Sequence, residues 1–232
     1  MDLVVVVETS GSSSDAPGEA PAFSRNLLRG LFHMDFANEP DSRLWIGLDG
    51  VESALKELDA ARVGVALVGF AGRFDDENRP ETASWLEAPL TDDYSAIESG
   101  MERMRNRGPS GLSCHACAVR FAQSVLSHSR AAGRCPAIVL VGDTDPNRPY
   151  HPMLAGNQRE FEDRVAANQR EVATALAESS GLHFTLVALG EENLLQSEHM
   201  EQLLAPSGGK LVPVGNAGEV SRAIITAVDA CE

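Results

Sequence analysis

Three groups of oxygen-bearing side chains in this sequence could together hold a hard metal ion. The first group is Glu8, Ser10 and Ser12, which alternate directly after an apolar run. The second is Ser113, which follows a turn rich in glycine, and the third is Asp143, which ends another apolar run. Carboxylate and hydroxyl oxygens suit Mg²⁺, with Mn²⁺ as the second choice. The sequence therefore predicts an oxygen-lined cation site assembled from three separate segments.

The elements that must position these side chains are buried strands. Residues 3–7 form an unbroken, β-branched apolar run, which predicts a central strand covered on both faces. Further runs at 63–70, 137–143 and 182–189 alternate with helical patterns, which predicts a doubly wound, mostly parallel α/β sheet of six strands with helices on both faces. We predict the strand order 3-2-1-4-5-6. Ligands bind such sheets at the carboxyl ends of the strands, where the three groups lie.

Length, charge and hydropathy narrow the possible functions. The 232 residues suit a single α/β domain spanning residues 1–232, with an insertion at 15–41 that contains a short helix. The formal net charge of −15 argues against nucleic acid and anionic membranes as partners. No apolar run is long enough to insert into a membrane. Because the first strand begins at residue 3, we expect no signal peptide in this chain, and a trimmed or mature form stays open.

These segments resemble the von Willebrand factor type A (VWA) family, and the resemblance covers nearly all of the chain. That family's metal-ion-dependent adhesion site has an Asp-x-Ser-x-Ser loop, a threonine on a second loop and an aspartate at the end of the fourth main strand. Ser10 and Ser12 match the two serines, Ser113 falls where the threonine belongs, and Asp143 matches the aspartate. Glu8 departs from the pattern, since it occupies the first aspartate position with one additional methylene.

The resemblance implies a protein-binding module that recognises its partner through Mg²⁺, or through Mn²⁺ or Ca²⁺, with a partner carboxylate completing the cation's shell. The segments Gly108-Pro109-Ser110-Gly111 and Pro149-Tyr150 are similar to a bacterial branch of the family often found outside the cytoplasm, so we expect an extracytoplasmic or cell-surface location. We do not expect an enzyme, because a single cation with mainly neutral ligands and no evident general base offers little to catalysis.

Two other functions stay open. Glu8 could hydrogen-bond a serine instead of serving a cation, which would leave a metal-free interaction scaffold or an adaptor in a larger assembly. Cys114 and Cys117 form a C-x-x-C pair at a helix start and could act as a thiol oxidoreductase, although two packed small residues would give the same pattern. His115, between them and near the site, could be exposed on the ligand-facing surface or be an ordinary surface or capped residue.

The cysteine positions allow one further prediction. Cys135 precedes the fourth main strand, at the end of the sheet opposite Cys114 and Cys117, and Cys231 falls in the last turn of the closing helix. We therefore predict no disulfide from Cys135 to Cys114 or Cys117, because α-carbons more than about 7 Å apart cannot be bridged.

Overall fold

The computed structural model describes residues 1–14, 39–71, 83–111, 113–128, 133–143, 158–190 and 194–231. The strands are β1 (Asp2–Glu8), β2 (Gly64–Phe70), β3 (Ser84–Thr91), β4 (Pro136–Gly142), β5 (His183–Leu189) and β6 (Lys210–Val214). The α-helices are α1 (Arg43–Leu55), α2 (Tyr94–Arg107), α3 (His115–Ser127), α4 (Gln158–Ala177), α5 (Leu194–Leu204) and α6 (Ala217–Asp229). The predicted insertion at 15–41 lies outside the described residues up to residue 38, as does the loop that carries Pro149 and Tyr150.

The six strands form one sheet in the order β3-β2-β1-β4-β5-β6. β3 is antiparallel to β2, and the other neighbouring strands pair in parallel. The predicted strand order and the mostly parallel α/β class are confirmed. Val7 of β1 pairs with Gly69 of β2 on one side and with Val141 of β4 on the other, so the carboxyl ends of these three strands lie level with one another.

The first strand is buried along its whole length because helices cover both faces of the sheet. Leu3, Val5 and Val7 pack in one apolar core with α1, α2 and α6, while Val4 and Val6 pack in a second core with α3, α4 and α5. Alternate residues of one strand therefore serve opposite cores, which is why its sequence is apolar throughout. None of the helices among the described residues is both long enough and apolar enough to cross a bilayer.

One disulfide joins distant parts of the fold. Cys135, just before β4, is bonded to Cys231, which follows the last helix, and their α-carbons are 5.9 Å apart. The prediction that Cys135 is not linked to Cys114 or Cys117 is confirmed. The bond fixes the end of α6 to the amino end of the sheet, opposite the predicted cation site.

Candidate metal centre

Glu8 is the residue around which the candidate site is assembled. It is the last residue of β1 and is 2% exposed. Its Oε1 accepts a hydrogen bond of 2.5 Å from Ser10 Oγ, and its Oε2 accepts one of 2.9 Å from the backbone N–H of Asp143. The structure thus brings together three of the five predicted ligands, from two adjacent strand ends.

Gly142 makes room for the longer side chain of Glu8. A Cβ atom at Gly142 would lie 2.4 Å from Glu8 Oε2 and 2.9 Å from Glu8 Cβ, closer than non-bonded atoms approach. The glycine that ends β4 therefore lets the glutamate carboxylate lie across the neighbouring strand and reach the backbone of Asp143.

The loop that carries Ser113 is held against the loop that follows β1. The N–H of Ser110 donates to the carbonyl of Thr9 over 2.7 Å, and the N–H of Gly11 donates to the carbonyl of Gly111 over 3.0 Å. Gly111 adopts a positive φ of 79°, a conformation that favours glycine. Ser113 is fully buried in this arrangement, as is Ser10. The second predicted loop is therefore docked directly beside the first.

Ser12 lies within a short 3₁₀ helix, Gly11–Ser14, and its side chain is not among the described parts of the structure. Its neighbour Ser13 has a structural role, because Ser13 Oγ donates to the backbone carbonyl of Glu8 over 3.2 Å. Ser14 Oγ donates similarly to the carbonyl of Gly11 over 2.8 Å. These two hydroxyls stabilise the turn that follows Glu8. Ser14 continues the alternating pattern of Glu8, Ser10 and Ser12, so alternation alone does not distinguish it from the predicted ligands.

Burial controls the charge of Glu8. Removal from water is the largest influence and the negative charge of Asp143 the next; together they raise the pKa of the Glu8 carboxyl from its usual value of 4.5 to about 8. The hydrogen bonds from Ser10 and from the Asp143 N–H act in the opposite direction, as does the positive charge of Arg43. At neutral pH the cation-free protein therefore holds Glu8 mainly in its protonated form.

His115, the first residue of α3, lies inside the protein. It is 1% exposed, its Nε2–H donates to the backbone carbonyl of Asp143 over 3.0 Å, and its ring centroid is 5.4 Å from that of Phe70. Burial lowers the pKa of its imidazole, against the opposing influence of Asp143. Both surface placements expected for His115 are therefore wrong. One of its ring nitrogens and carboxylate oxygens of Glu8 and Asp143 all lie within 4.8 Å of one another.

Comparison with known proteins identifies the fold. No protein-family model and no curated protein matches this sequence. Among solved structures, the VWA domain of SpRpn10 matches with a TM-score of 0.60 and 13% identity, over 97% of this chain and 94% of that one. The von Willebrand factor domain of Mfa5, a type V pili tip protein of Porphyromonas gingivalis, matches with a TM-score of 0.56 and 13% identity, over 100% and 96%. The chain has the VWA fold.

A third match to this VWA fold comes from a longer protein. The PilB minor pilin of Streptococcus sanguinis aligns with a TM-score of 0.65 and 14% identity over 99% of this chain, which spans 60% of the pilin chain. Identities of this size show a shared fold and leave the activity of each protein to its own site residues. Here Glu8, Ser10 and Asp143 lie at or just after the carboxyl ends of β1 and β4. Ser113 lies in the loop between α2 and α3, so the expectation that it follows a strand end is wrong.

Cys114 and Cys117 are bonded to each other beside the candidate site, with α-carbons 5.3 Å apart. They are therefore not two separate packed thiols. Cys114 is the N-cap of α3, and its sulfur accepts a hydrogen bond from the N–H of Cys117. The Asn168 amide of α4 lies against the same turn, 3.8 Å from Cys114 Sγ. The disulfide thus closes the first turn of the helix that positions His115.

Sequence reasoning did not assign Gly142 or His115 to the cation site. Gly142 reads as the small last residue of an apolar run, and only the course of the Glu8 side chain gives it a role. His115 reads as a residue at a helix start, where the side chain can point outward or inward. Its position directly after Ser113 and Cys114 was the one available indication that it lies near the cation ligands.

Proposed function

We propose that this chain is a protein-binding module that recognises its partner through a divalent cation held by Glu8, Ser10, Ser12, Ser113 and Asp143. The observation that carries the proposal is that the ends of β1 and β4 meet at the Glu8 carboxylate. This carboxylate accepts hydrogen bonds from Ser10 Oγ and from the backbone N–H of Asp143. A buried carboxylate with hydroxyl and carboxylate side chains beside it, at the carboxyl edge of an open α/β sheet, is suited to ligand binding.

The residues present fit a hard cation. Glu8 and Asp143 supply carboxylates, and the buried serines 10 and 113 supply neutral oxygens. Burial first, and the neighbouring negative charge of Asp143 second, disfavour the ionised form of Glu8 and raise its pKa. A dication in the site would offset that charge and favour the ionised form of Glu8.

Mg²⁺ is the cation we favour on the oxygen ligands alone, with Mn²⁺ and Ca²⁺ as alternatives. When bound, such a cation supplies an electron-poor centre with open positions. The chain's own residues hold it with two charged and several neutral ligands, and the half-buried Asp143 marks the side of the site that solvent reaches. A carboxylate from a partner protein would enter on that side. We assign no catalytic residue to this site.

The similar solved structures support a role at the bacterial cell surface. Mfa5 is described as a pili tip protein and PilB as a minor pilin, and both contain the fold found here. We extend to this chain only the general role of an interaction module outside the cytoplasm. The partner's chemistry is inferred from the site, as an exposed carboxylate on a protein surface.

Binding of Mn²⁺ and acetate tests this proposal directly. Mn²⁺ held by the protein with open positions should enhance the relaxation of water protons, and added acetate should reduce that enhancement as it displaces water from the cation. Chloride at equal ionic strength is the control, and Asp143→Ala should abolish the enhancement. If the parent protein binds Mn²⁺ but acetate leaves the enhancement unchanged, the cation does not recognise carboxylates and the proposal is wrong.

A metal-free interaction scaffold is the second candidate, and one observation favours it. Both carboxylate oxygens of Glu8 already accept hydrogen bonds within the protein, and at neutral pH the group is mainly protonated. The same experiment separates the two functions, since a scaffold gives no enhancement with Mn²⁺. Thiol–disulfide exchange at Cys114–Cys117 receives less support, because the Cys114 side chain is buried and only the partly exposed Cys117 offers a sulfur to an attacking thiolate.

A further inference from the structure

His115 is a buried polar side chain beside the candidate site, and the proposed function does not use it. Its Nδ1 has no hydrogen-bond partner among the described residues. A buried nitrogen without a partner loses its hydrogen bonds to water and gains none in return, so its retention in a native protein calls for an explanation. The position of this nitrogen within the fold suggests what that role is.

The hydrogen bond made by the other ring nitrogen fixes the state of the imidazole. The backbone carbonyl of Asp143 can only accept, so His115 Nε2 carries the proton that it donates over 3.0 Å. In the neutral ring, Nδ1 then presents a lone pair. Metal-binding histidines typically show this arrangement, in which one nitrogen binds the ion while the other donates to a backbone carbonyl or a carboxylate.

The ring also lies at the right distance from the carboxylates. One ring nitrogen of His115 and carboxylate oxygens of Glu8 and Asp143 fall within 4.8 Å of one another, so the imidazole lies close enough to join the two carboxylates at one ion. The Phe70 ring, 5.4 Å from the imidazole by centroids, packs beside it. His115 is therefore held beside the two charged ligands by a hydrogen bond and by packing.

We propose that His115 supplies a nitrogen ligand to the cation at this site, which therefore binds a transition-metal dication of the Zn²⁺ class in preference to Mg²⁺. The inference rests on the proposed function, whose cation it specifies. Imidazole favours Zn²⁺ and its neighbours in the first transition row, whereas carboxylate, hydroxyl and water oxygens alone favour Mg²⁺. A site of two carboxylates, serine hydroxyls and one imidazole combines both kinds of ligand and shifts selectivity toward the transition metals.

Titration with Co²⁺ and Mg²⁺ tests the assignment, because Co²⁺ reports its ligands through visible absorption. The protein is used untagged, freed of metal and with both disulfides intact, so that no cysteine thiolate competes. His115→Gln removes the imidazole and keeps a side chain of similar length. His183→Gln is the matched control, because exposed His183 lies in a separate cluster with Cys135 and Cys231.

We expect the parent to bind Co²⁺ more tightly than Mg²⁺. His115→Gln should lower Co²⁺ affinity by about tenfold or more, since loss of even an outer-shell partner of a metal ligand typically lowers affinity by about 10–100-fold. Its Mg²⁺ affinity should stay near that of the parent, and His183→Gln should match the parent for both ions. If His115→Gln leaves Co²⁺ affinity unchanged, or lowers Co²⁺ and Mg²⁺ affinity equally, the inference is overturned.

The outcomes also separate this inference from the proposed function. A parent that binds Mg²⁺ through Asp143, with Co²⁺ affinity independent of His115, retains the function and loses the nitrogen ligand. A parent that binds neither ion overturns both. Pulsed EPR of the Mn²⁺-loaded parent needs no variant, so it remains informative if His115→Gln fails to fold. Nitrogen modulation of the signal of bound Mn²⁺ supports a histidine ligand. Bound Mn²⁺ without nitrogen modulation contradicts a histidine ligand.

Discussion

Glu8 has one methylene more than the aspartate of the family pattern, and the neighbouring strand has to accommodate the added length. The longer side chain reaches across to the next strand, where its carboxylate binds the backbone N–H of Asp143. That reach depends on the missing side chain of Gly142 and brings the carboxylate deep enough to raise its pKa. The charge of Glu8 therefore depends on how closely the ends of β1 and β4 pack.

The raised pKa of Glu8 predicts how stability changes with pH in the cation-free protein. Below the ordinary carboxyl pKa near 4.5, Glu8 is protonated in both the folded and the unfolded chain and has no effect. Between there and about 8 the unfolded chain loses the proton while the folded protein keeps it, so the free energy of unfolding falls as pH rises. Glu8→Gln should lack this loss.

Thermal unfolding in the presence of a chelator, at pH values from 5 to about 8, measures the effect as the difference in Tm between parent and Glu8→Gln. The Tm of Glu8→Gln should increase relative to that of the parent as the pH rises. A Tm difference that stays constant over this pH range would show that the pKa of Glu8 is not raised.

Gly142→Ala tests the close approach of the two strand ends. The new Cβ would lie 2.4 Å from Glu8 Oε2, so the carboxylate must leave its position or the strands must separate. We expect a loss of about 1–3 kcal/mol in the free energy of unfolding, the usual result of overpacking. Urea denaturation measures it. Gly215→Ala is the control, since the nearest atom to its new Cβ is 3.8 Å away; equal losses in the two variants would contradict the account.

At the scale of elements, the sequence predicts most of what positions the site. The apolar run of β1 has to be central because helices must cover both of its faces, and this placement puts Glu8 level with the end of β4. The inward direction of His115 could not be predicted, because it depends on how α3 docks against the sheet rather than on local pattern. The same holds for Cys135 and Cys231, which only the closing helix brings together.

Close contact between α1 and α6 depends on a single glycine. A Cβ at Gly50 would lie 2.4 Å from Val220 Cβ and 2.9 Å from the carbonyl oxygen of Ala217, so the helices could not keep their separation. Gly50→Ala should therefore destabilise the protein by about 1–3 kcal/mol, despite the better helix propensity of alanine. Gly218→Ala, at an exposed position of α6, should instead be neutral or stabilising. The urea denaturation midpoints of the two variants and the parent measure these effects. A Gly50→Ala variant more stable than the parent would contradict the close packing of α1 against α6.

At the scale of the whole molecule, the two disulfides should differ in their contribution to stability. Cys135–Cys231 spans 96 residues and Cys114–Cys117 spans three. The chain-entropy account assigns about 4–5 kcal/mol to a loop of the first size and about 1–2 kcal/mol to the second. Replacing both cysteines of the long-range pair by serine should therefore lower the free energy of unfolding more than the same change in the short-range pair.

Chemical denaturation under non-reducing conditions compares the two double variants with the parent. Ser at position 114 can cap α3 in place of the sulfur, which should further limit the effect of the short-range change. A larger loss on removal of Cys114–Cys117 than of Cys135–Cys231 would show that the short disulfide, and not the long loop, holds the fold together.

Calorimetric titration with Mg²⁺ and Mn²⁺ tests the central claim, that this VWA fold holds a cation at the ends of β1 and β4. We expect the parent to bind both ions and Asp143→Ala to lose most of that affinity, because the change removes one of the two carboxylates. Ser113→Ala should be milder, since water can replace a neutral hydroxyl. Equal Mg²⁺ and Mn²⁺ affinities in the parent and in Asp143→Ala would contradict the claim and leave partner binding to surface shape alone.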